Sequence, residues 1–404
     1  MTGSRGAEEQ AAPLQGIKVV EFTHMVMGPT AGVILGDLGA DVIKVEPLKG
    51  DNTRRLKGSG AGYFPMYNRN KRSIALDLKH PKGLDVARQL IQSADIVLEN
   101  FRTGTMAKLG LDYESLKADH PGLIYCSLKG FLSGPYENRV ALDEVTQMMG
   151  GLAYMTGLPD RPLRAGSSVI DITGGMFGVI AILSALHRRR ETGEGSHVTS
   201  ALFETTAFLV GQHMAQQAVS GDAPPPMSVR QSAWAVYDIF ELNSGERLFV
   251  GIVSDTLWQR FCEEFGLTDW AADVTLASNA GRVAARDNLL PAIRELFAPL
   301  SLAELSERLE RAGLPFSPIN TPGDLFDDPH LNASGGLLPV HLTEGDHAGE
   351  QTTLPRLPVE FGNHKPPLHR DLPKTGADNA EVLKELGLDD EAIAALTREG
   401  VLSG

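Results

Sequence analysis

Strands and helices alternate through the first third of this chain, and that alternation leaves few folds open. Ile17–Phe22 (IKVVEF) reads as a strand, a short run of β-branched and apolar residues. Thr23–Gly28 is a loop, Pro29 suits a first helical residue, and Ala31–Leu38 is a small-residue helix ending at Gly39. Asp41–Glu46 is the next strand. The pattern then returns with strand Ser73–Leu78, helix Pro81–Gln92, strand Asp95–Leu98, a helix at Leu116 and strand Leu123–Ser127. A helical crossover brings the chain back to the same end of the sheet, so the strands pair in parallel. The expected fold is α/β: a doubly wound, Rossmann-like large domain.

The chain has 404 residues, room for two or three domains. Residues 1–15 are polar and rich in small side chains, and read as a flexible tail. Residues 16–220 hold the large α/β domain. Asp222-Ala223-Pro224-Pro225-Pro226 is a stiff linker. A smaller α+β domain spans 221–330, with paired strands in Ser232–Val253 around Asn243-Ser244-Gly245 and helices Trp258–Phe265 and Leu302–Ala312. Residues 331–404 add strands within Leu338–Glu360; with Pro355, Pro358, Pro366 and Pro367 they form an extended segment returning to the large domain.

Composition excludes several functions. A net charge of -14 argues against a nucleic-acid binder. Two distant cysteines, Cys126 and Cys262, form neither a disulfide framework nor a zinc spacing, which fits a reducing, cytoplasmic setting. The apolar run Val179–Leu186 ends at His187-Arg188-Arg189-Arg190, short of a membrane span, so no membrane partner is expected. The first loop, T-H-M-V-M-G-P, lacks the G-x-G-x-x-G that lets backbone meet a dinucleotide pyrophosphate.

Two stretches carry chemistry. Asp171 follows Ser167-Ser168-Val169-Ile170 and precedes Gly174, Gly175 and Gly178. It reads as the opening of a buried helix, either a plain cap or a functional carboxylate, with small residues around it leaving room for a ligand. The other stretch is basic: Lys49, Arg54, Arg55, Lys57, Arg69, Lys71 and Arg72 are opposed only by Asp51, a local positive region suited to phosphates or a solvated loop.

The chain resembles the class III CoA-transferases, a family that includes formyl-CoA transferase and has racemase relatives. The resemblance rests on GIKVVEFTH (Gly16–His24), LGADVIKVE (Leu38–Glu46), NRNKRSIALD (Asn68–Asp77) and VLENF (Val97–Phe101). It continues through DITGGM (Asp171–Met176), TGEGS (Thr192–Ser196) and LKELGLDD (Leu383–Asp390). It implies an interlocked homodimer that takes acyl-CoA and small carboxylic acids, with coenzyme A as a substrate moiety and no tightly bound cofactor. It makes Asp171 the catalytic aspartate, passing through aspartyl anhydride and aspartyl-CoA thioester intermediates. Such a carboxylate needs a near-normal pKa to be ionised at neutral pH, which a helix N-terminus would favour. The matching CoA-contact positions are Val26, Met27, Leu76, Asp77, Leu78, Lys79, Asn100, Phe101, Arg102, Lys108 and Val140. Val26 stands where formyl-CoA transferase has glutamine, and Pro47 where it has arginine, which shifts expected phosphate contacts onto Lys49, Arg69 or Arg72.

The racemase relatives place a proton-accepting histidine where this chain has Leu142, and leucine takes no proton. Asp143, next to it, either orients the site or caps a helix Glu144–Leu152. His213 reads as a core or supporting residue of a helix Glu204–Gln217. The glycine loop of formyl-CoA transferase has no counterpart between Pro226 and Phe240, which points to larger acids, C4–C5 dicarboxylates of the succinyl or mesaconyl kind. Arg161, Arg164 and Arg230 are candidates to hold a distal carboxylate. Trp234 and Tyr237 either line the acid pocket or belong to the small-domain core. A 2-methylacyl-CoA racemase and a non-catalytic CoA-binding protein remain as alternatives.

Overall fold

The computed structural model describes residues 12–229 and 232–403. From the N-terminus run β1 (Lys18–Phe22), α1 (Met27–Asp37), β2 (Asp41–Glu46), α2 (Tyr63–Tyr67), β3 (Lys71–Ala75), α3 (Pro81–Gln92) and β4 (Ile96–Glu99). Then come α4 (Thr105–Leu109), α5 (Tyr113–Leu116), β5 (Ile124–Lys129), α6 (Asp143–Met149), α7 (Leu152–Thr156), α8 (Val169–Thr192), β6 (Ser196–Ala201) and α9 (Leu202–Ser220). The six strands form one parallel sheet in the order β3-β2-β1-β4-β5-β6. This is the expected doubly wound α/β sheet. The strand β6 is an addition to that expectation, because the polar S-H-V-T-S-A lacks an apolar run.

The chain divides into two compact units, one reaching to Ser228 and resuming at His330, the other Val229–Pro329. The second unit has an antiparallel sheet of β7 (Val236–Glu241), β8 (Arg247–Ile252) and β9 (Phe316–Pro318), with β8 central. It also has helices α10 (Asp255–Glu264), α11 (Thr268–Ala272), α12 (Asn279–Ala284), α13 (Arg286–Phe297) and α14 (Leu302–Arg311), and an apolar core built on Trp258, Phe261 and Phe297. After α15 (Pro329–Ser334), the first unit gains a hairpin of β10 (Leu337–His341) and β11 (Gln351–Pro355), then α16 (Asn379–Glu385) and α17 (Asp390–Arg398).

Both faces of the parallel sheet are covered. Alternate residues of a strand point to opposite faces. Val19 therefore joins a core with Leu35 of α1 and Ile182 of α8, while Val20 and Phe22 join a core with Leu90 of α3, Val382 of α16 and Leu396 of α17. The helix α8 has 24 residues and a mean hydropathy of 2.0 over its most apolar window, long and apolar enough to cross a membrane, contrary to the sequence expectation. Here it packs on α1 and the sheet. Gly175 allows this: a Cβ there would stand 2.6 Å from the Met27 carbonyl oxygen. Gly174 likewise faces Met27. These glycines bring two helices together, so they are not the ligand clearance expected.

The basic stretch is also used internally. Arg54 donates to both oxygens of Glu46 (2.8 and 2.7 Å) and lies over the Phe64 ring. Arg69 pairs with Asp37 at 2.6 Å, and Lys71 with Glu21 at 2.9 Å. Arg72 is held by Asp41, Glu381 and Glu385. All four cations are buried. Arg69 and Arg72 are therefore not open to a phosphate, because partners distant in sequence already neutralise them. Lys49, Arg55 and Lys57 lie nearer the surface. Asn70, in the left-handed region at φ 57°, accepts from the N–H groups of His369 and Arg370, both at 2.9 Å. The N-R-N-K-R motif thus clasps the returning C-terminal segment. At the other end, Met1–Ala11 lie outside the described residues. Leu14 is not part of a loose tail, since it is buried and its N–H donates to the Leu38 carbonyl at 2.9 Å.

Candidate active site

The sheet reverses its winding between β1 and β4, neighbours in space and distant in the chain. Open α/β sheets take ligands beyond the carboxyl ends of such strands. The loop after β1 is tied to the loop after β4 through Asn100, which accepts from the His24 N–H (3.0 Å) and donates to the His24 carbonyl (2.8 Å). Phe101 stacks on the His24 ring with centroids 6.0 Å apart. Met25 takes φ 64°, a conformation uncommon for a non-glycine residue and a pointer to functional loops.

The candidate CoA positions fall into three groups. Asn100, Phe101, Arg102 and Lys108 follow β4, with Arg102 and Lys108 exposed. Val26 and Met27 start α1, but their side chains are buried and Met27 packs on Gly174. Leu76, Asp77, Leu78 and Lys79 follow the edge strand β3. Leu76 is buried and bridges to Leu402, and the Asp77 N–H donates to the Val401 carbonyl at 3.0 Å. Val140 is 68% exposed in the segment before α6.

Asp171 is the third residue of α8, whose N-cap is Ser168. It is therefore no cap. That task falls to Asp143, which is buried and at the start of α6. Its Oδ2 accepts from the N–H groups of Ile170 (2.9 Å) and Asp171 (3.1 Å), so it caps α8 rather than the helix it begins. The expected helix Glu144–Leu152 is in fact two, α6 and α7, separated at Gly151 with φ 82°. Gln147 donates to Asp143 Oδ1 (2.5 Å) and accepts from the Ala165 N–H (2.8 Å), fixing the loop before α8 to α6. In that loop Arg164 donates from Nε to the Ala165 carbonyl (3.0 Å) and from Nη1 to Glu144 (2.8 Å).

These contacts set two carboxylates apart. Asp143 holds the N–H groups of Ile170 and Asp171, so these two are not free for the Asp171 carboxylate or for an oxyanion. Asp171 lacks that support: burial first, and then the Asp143 charge, push it up to about 7, while Arg164 pulls the other way. The expectation of a near-normal pKa fails for that reason. A carboxylate raised by burial in this manner is a candidate for acid–base or nucleophilic chemistry. Tyr67, at the end of α2, is pushed up to about 12 by burial and by the Asp171 charge, so its phenol stays protonated at neutral pH.

The structure thus gathers Asp171, Asp143 and Arg164 among the expected residues. It adds Glu144, Gln147 and Tyr67, which sequence reasoning does not single out as site residues. Only the spacing of Tyr63 and Tyr67, four apart on one face of a helical turn, hints at α2. Arg161 is exposed on a turn with Leu158, and Arg230 lies outside the described residues. His213 is half-buried on α9, with Nε2 within hydrogen-bond distance of the Gln212 side chain at 3.2 Å. Trp234 and Tyr237 belong to the second unit. Their rings are 5.2 Å apart, and Tyr237 packs edge-on against Phe249. Neither belongs to that unit's fully buried core.

A parallel sheet with this carboxylate pair at a helix N-terminus is an α/β setting suited to acid–base or nucleophilic chemistry. The sequence model of CoA-transferase family III matches residues 14–379. The chain is 35% identical to a succinate–glutarate CoA-transferase of Agrobacterium fabrum, over 93% of this chain and 96% of that one. It is 31% identical to a succinyl-CoA:mesaconate CoA-transferase of Haloarcula hispanica, over 93% and 96%. It is 32% identical to an acetyl-CoA:oxalate CoA-transferase of Acetobacter aceti, over 85% and 93%. Its fold matches the crystal structure of a CaiB/BaiF family protein from Brucella suis with a TM-score of 0.82, at 36% identity, over 93% of this chain and 100% of that one. The chain belongs to CoA-transferase family III.

Proposed function

We propose that this CoA-transferase moves CoA between C4–C5 dicarboxylic acids, with Asp171 as the acyl carrier. The Asp171 carboxylate attacks the donor thioester carbonyl and expels CoA thiolate, leaving a mixed anhydride. The thiolate attacks the aspartyl carbonyl, releasing the donor acid and forming an aspartyl-CoA thioester. The acceptor carboxylate attacks that thioester, and the thiolate freed then attacks the acceptor carbonyl of the second anhydride. Asp171 is regenerated, and no resident cofactor is needed. The observation that carries this reading is the raised carboxylate of Asp171 beside a separately satisfied Asp143. Desolvation makes the ionised form a better nucleophile than a solvated surface aspartate. With the Ile170 and Asp171 N–H groups taken, the protonated Tyr67 phenol is the candidate donor to steady developing oxyanions.

CoA is proposed to lie along the loops after β1 and β4, with Arg102, Lys108 and Lys49 as candidate phosphate partners; Leu142 again disfavours proton abstraction by a racemase. The dicarboxylate preference is supported by the missing glycine loop and by the names of the first two relatives. It is tested by letting succinate, mesaconate, oxalate and butyrate compete for a common glutaryl-CoA donor, read by mass spectrometry. Succinate and mesaconate are expected to dominate. Oxalate or butyrate reacting as efficiently would end the C4–C5 dicarboxylate reading and leave the transferase one standing.

A homodimer is the proposed working form, in a reducing, cytoplasmic setting consistent with two buried free thiols. What supports it is the exposure of large apolar side chains on two adjacent helices, Met176, Ile180 and Leu183 on α8 and Phe208 and Met214 on α9. Sedimentation should find one dimeric species, and an active monomer persisting on dilution would refute it.

A further inference from the structure

Arg164 has three kinds of partner, and they are not equally firm. Its Nε is held by the Ala165 carbonyl at 3.0 Å. Asp143 lies 3.9 Å from Nη2, and that carboxylate is already filled by Gln147 and the N–H groups of Ile170 and Asp171. Glu144 is different. It meets Nη1 at 2.8 Å, yet its side chain is 57% exposed and that of Arg164 33% exposed. An ion pair this open to water contributes little and exchanges readily. One residue of the site therefore presents a guanidinium whose plane is fixed and whose outward carboxylate is replaceable. Arg164 stands seven positions before Asp171, on a loop pinned by Gln147, and near enough for its charge to act on that carboxylate.

We propose that the Arg164–Glu144 pair is a carboxylate latch, in which the second carboxylate of the acceptor acid displaces Glu144 from Arg164 while its first carboxylate reacts at Asp171. The proposal rests on the transferase reading and adds how a diacid is told from a monoacid. Glu144 keeps Arg164 paired when no acid is present. A diacid replaces one carboxylate with another on the same donors, so the site loses nothing. A monoacid reaching the same depth leaves Arg164 facing its apolar end, with the guanidinium unpaired. Arginine suits the task because its planar fork fixes the direction from which a carboxylate is accepted.

The test compares glutarate and valerate, acids of equal chain length, with succinyl-CoA as donor. Glu144→Ala removes the competitor, and KM for glutarate is expected to fall about two- to fivefold, the worth of an exposed pair, with a smaller change for valerate. Arg164→Gln is expected to lower kcat/KM for glutarate at least tenfold more than for valerate, and Arg164→Lys to recover part of that selectivity. Equal losses for both acids in Arg164→Gln would show that Arg164 does not read the second carboxylate and overturn the latch. So would a glutarate KM that is unmoved or raised in Glu144→Ala, whose exposed position keeps the test decisive even if the Arg164 variants do not fold. Wild-type protein transferring CoA to neither acid would overturn the C4–C5 diacid reading along with the latch; transfer with unmoved selectivity would overturn the latch alone.

Discussion

Asp171→Ala is expected to lower CoA transfer by several orders of magnitude while leaving the fold intact, because the variant has no carboxylate to carry the acyl group. A methyl group fits wherever a carboxylate fitted, and the hydrogen bonds of the α8 N-terminus go to Asp143, so little structural change follows. Retention of more than about a tenth of the rate, a barrier change of only about 1.4 kcal/mol, would remove Asp171 from the mechanism. The same residue sets the pH profile. Its carboxyl is pushed up to about 7 by burial and then by Asp143, and the reactive form is the ionised one. In the wild type, kcat/KM should therefore rise with pH and level off above about 7. Asp143→Asn removes the like charge and should move the rising limb to lower pH. Stability follows the opposite sign: a raised carboxyl stabilises the fold at low pH and loses that contribution as pH rises through about 7. Asp171→Asn should accordingly gain on the wild type in denaturant titrations as pH increases across that range. A rising limb near pH 4, the ordinary range of an aspartate, would contradict the environment described.

Glu21→Ala is expected to destabilise the large unit by about 3–5 kcal/mol, the usual effect of removing one partner from a buried ion pair. Glu21 is fully buried and carries two ammonium groups: Lys44 at 3.3 Å and Lys71 at 2.9 Å. It also accepts from the Thr23 hydroxyl at 2.6 Å. Burial pulls Lys71 down to about 8 even with Glu21 present. Without it, two cations share the interior with Asp51, and Lys71 must give up its proton or take in water. The helix α1 lies directly over this cluster, and Gly32 makes the approach possible: a Cβ there would stand 1.8 Å from Glu21 Oε2. Denaturant unfolding followed by a probe in the large unit reads the effect. A loss below about 1 kcal/mol would show that the cluster is hydrated and loosely held.

The sheet is legible in the sequence because apolar alternation is a local property. The strands β1, β2, β4 and β5 and the helix α3 fall within a residue or two of where propensity and proline placement put them. The strand β6 is hidden because it is an edge strand with exposed polar residues, and its pairing with β5 supplies what its sequence does not. The charges mislead for a related reason. Arg54, Arg69, Lys71 and Arg72 form a basic run in sequence, but their partners Glu46, Asp37, Glu21 and Glu385 come from other strands and helices, one of them from α16.

By itself the sequence determined the α/β class and the family and singled out Asp171 as the candidate catalytic carboxylate, because short motifs in a fixed order carry those. Only the tertiary structure decided that Asp143 caps a helix it does not begin. It also decided that the glycines after Asp171 seat α1, and that Arg164 faces an exchangeable Glu144. Each of those facts depends on a distance between residues brought together from different elements. Such distances are set by packing and by where buried charges find their opposites, and no local pattern encodes them.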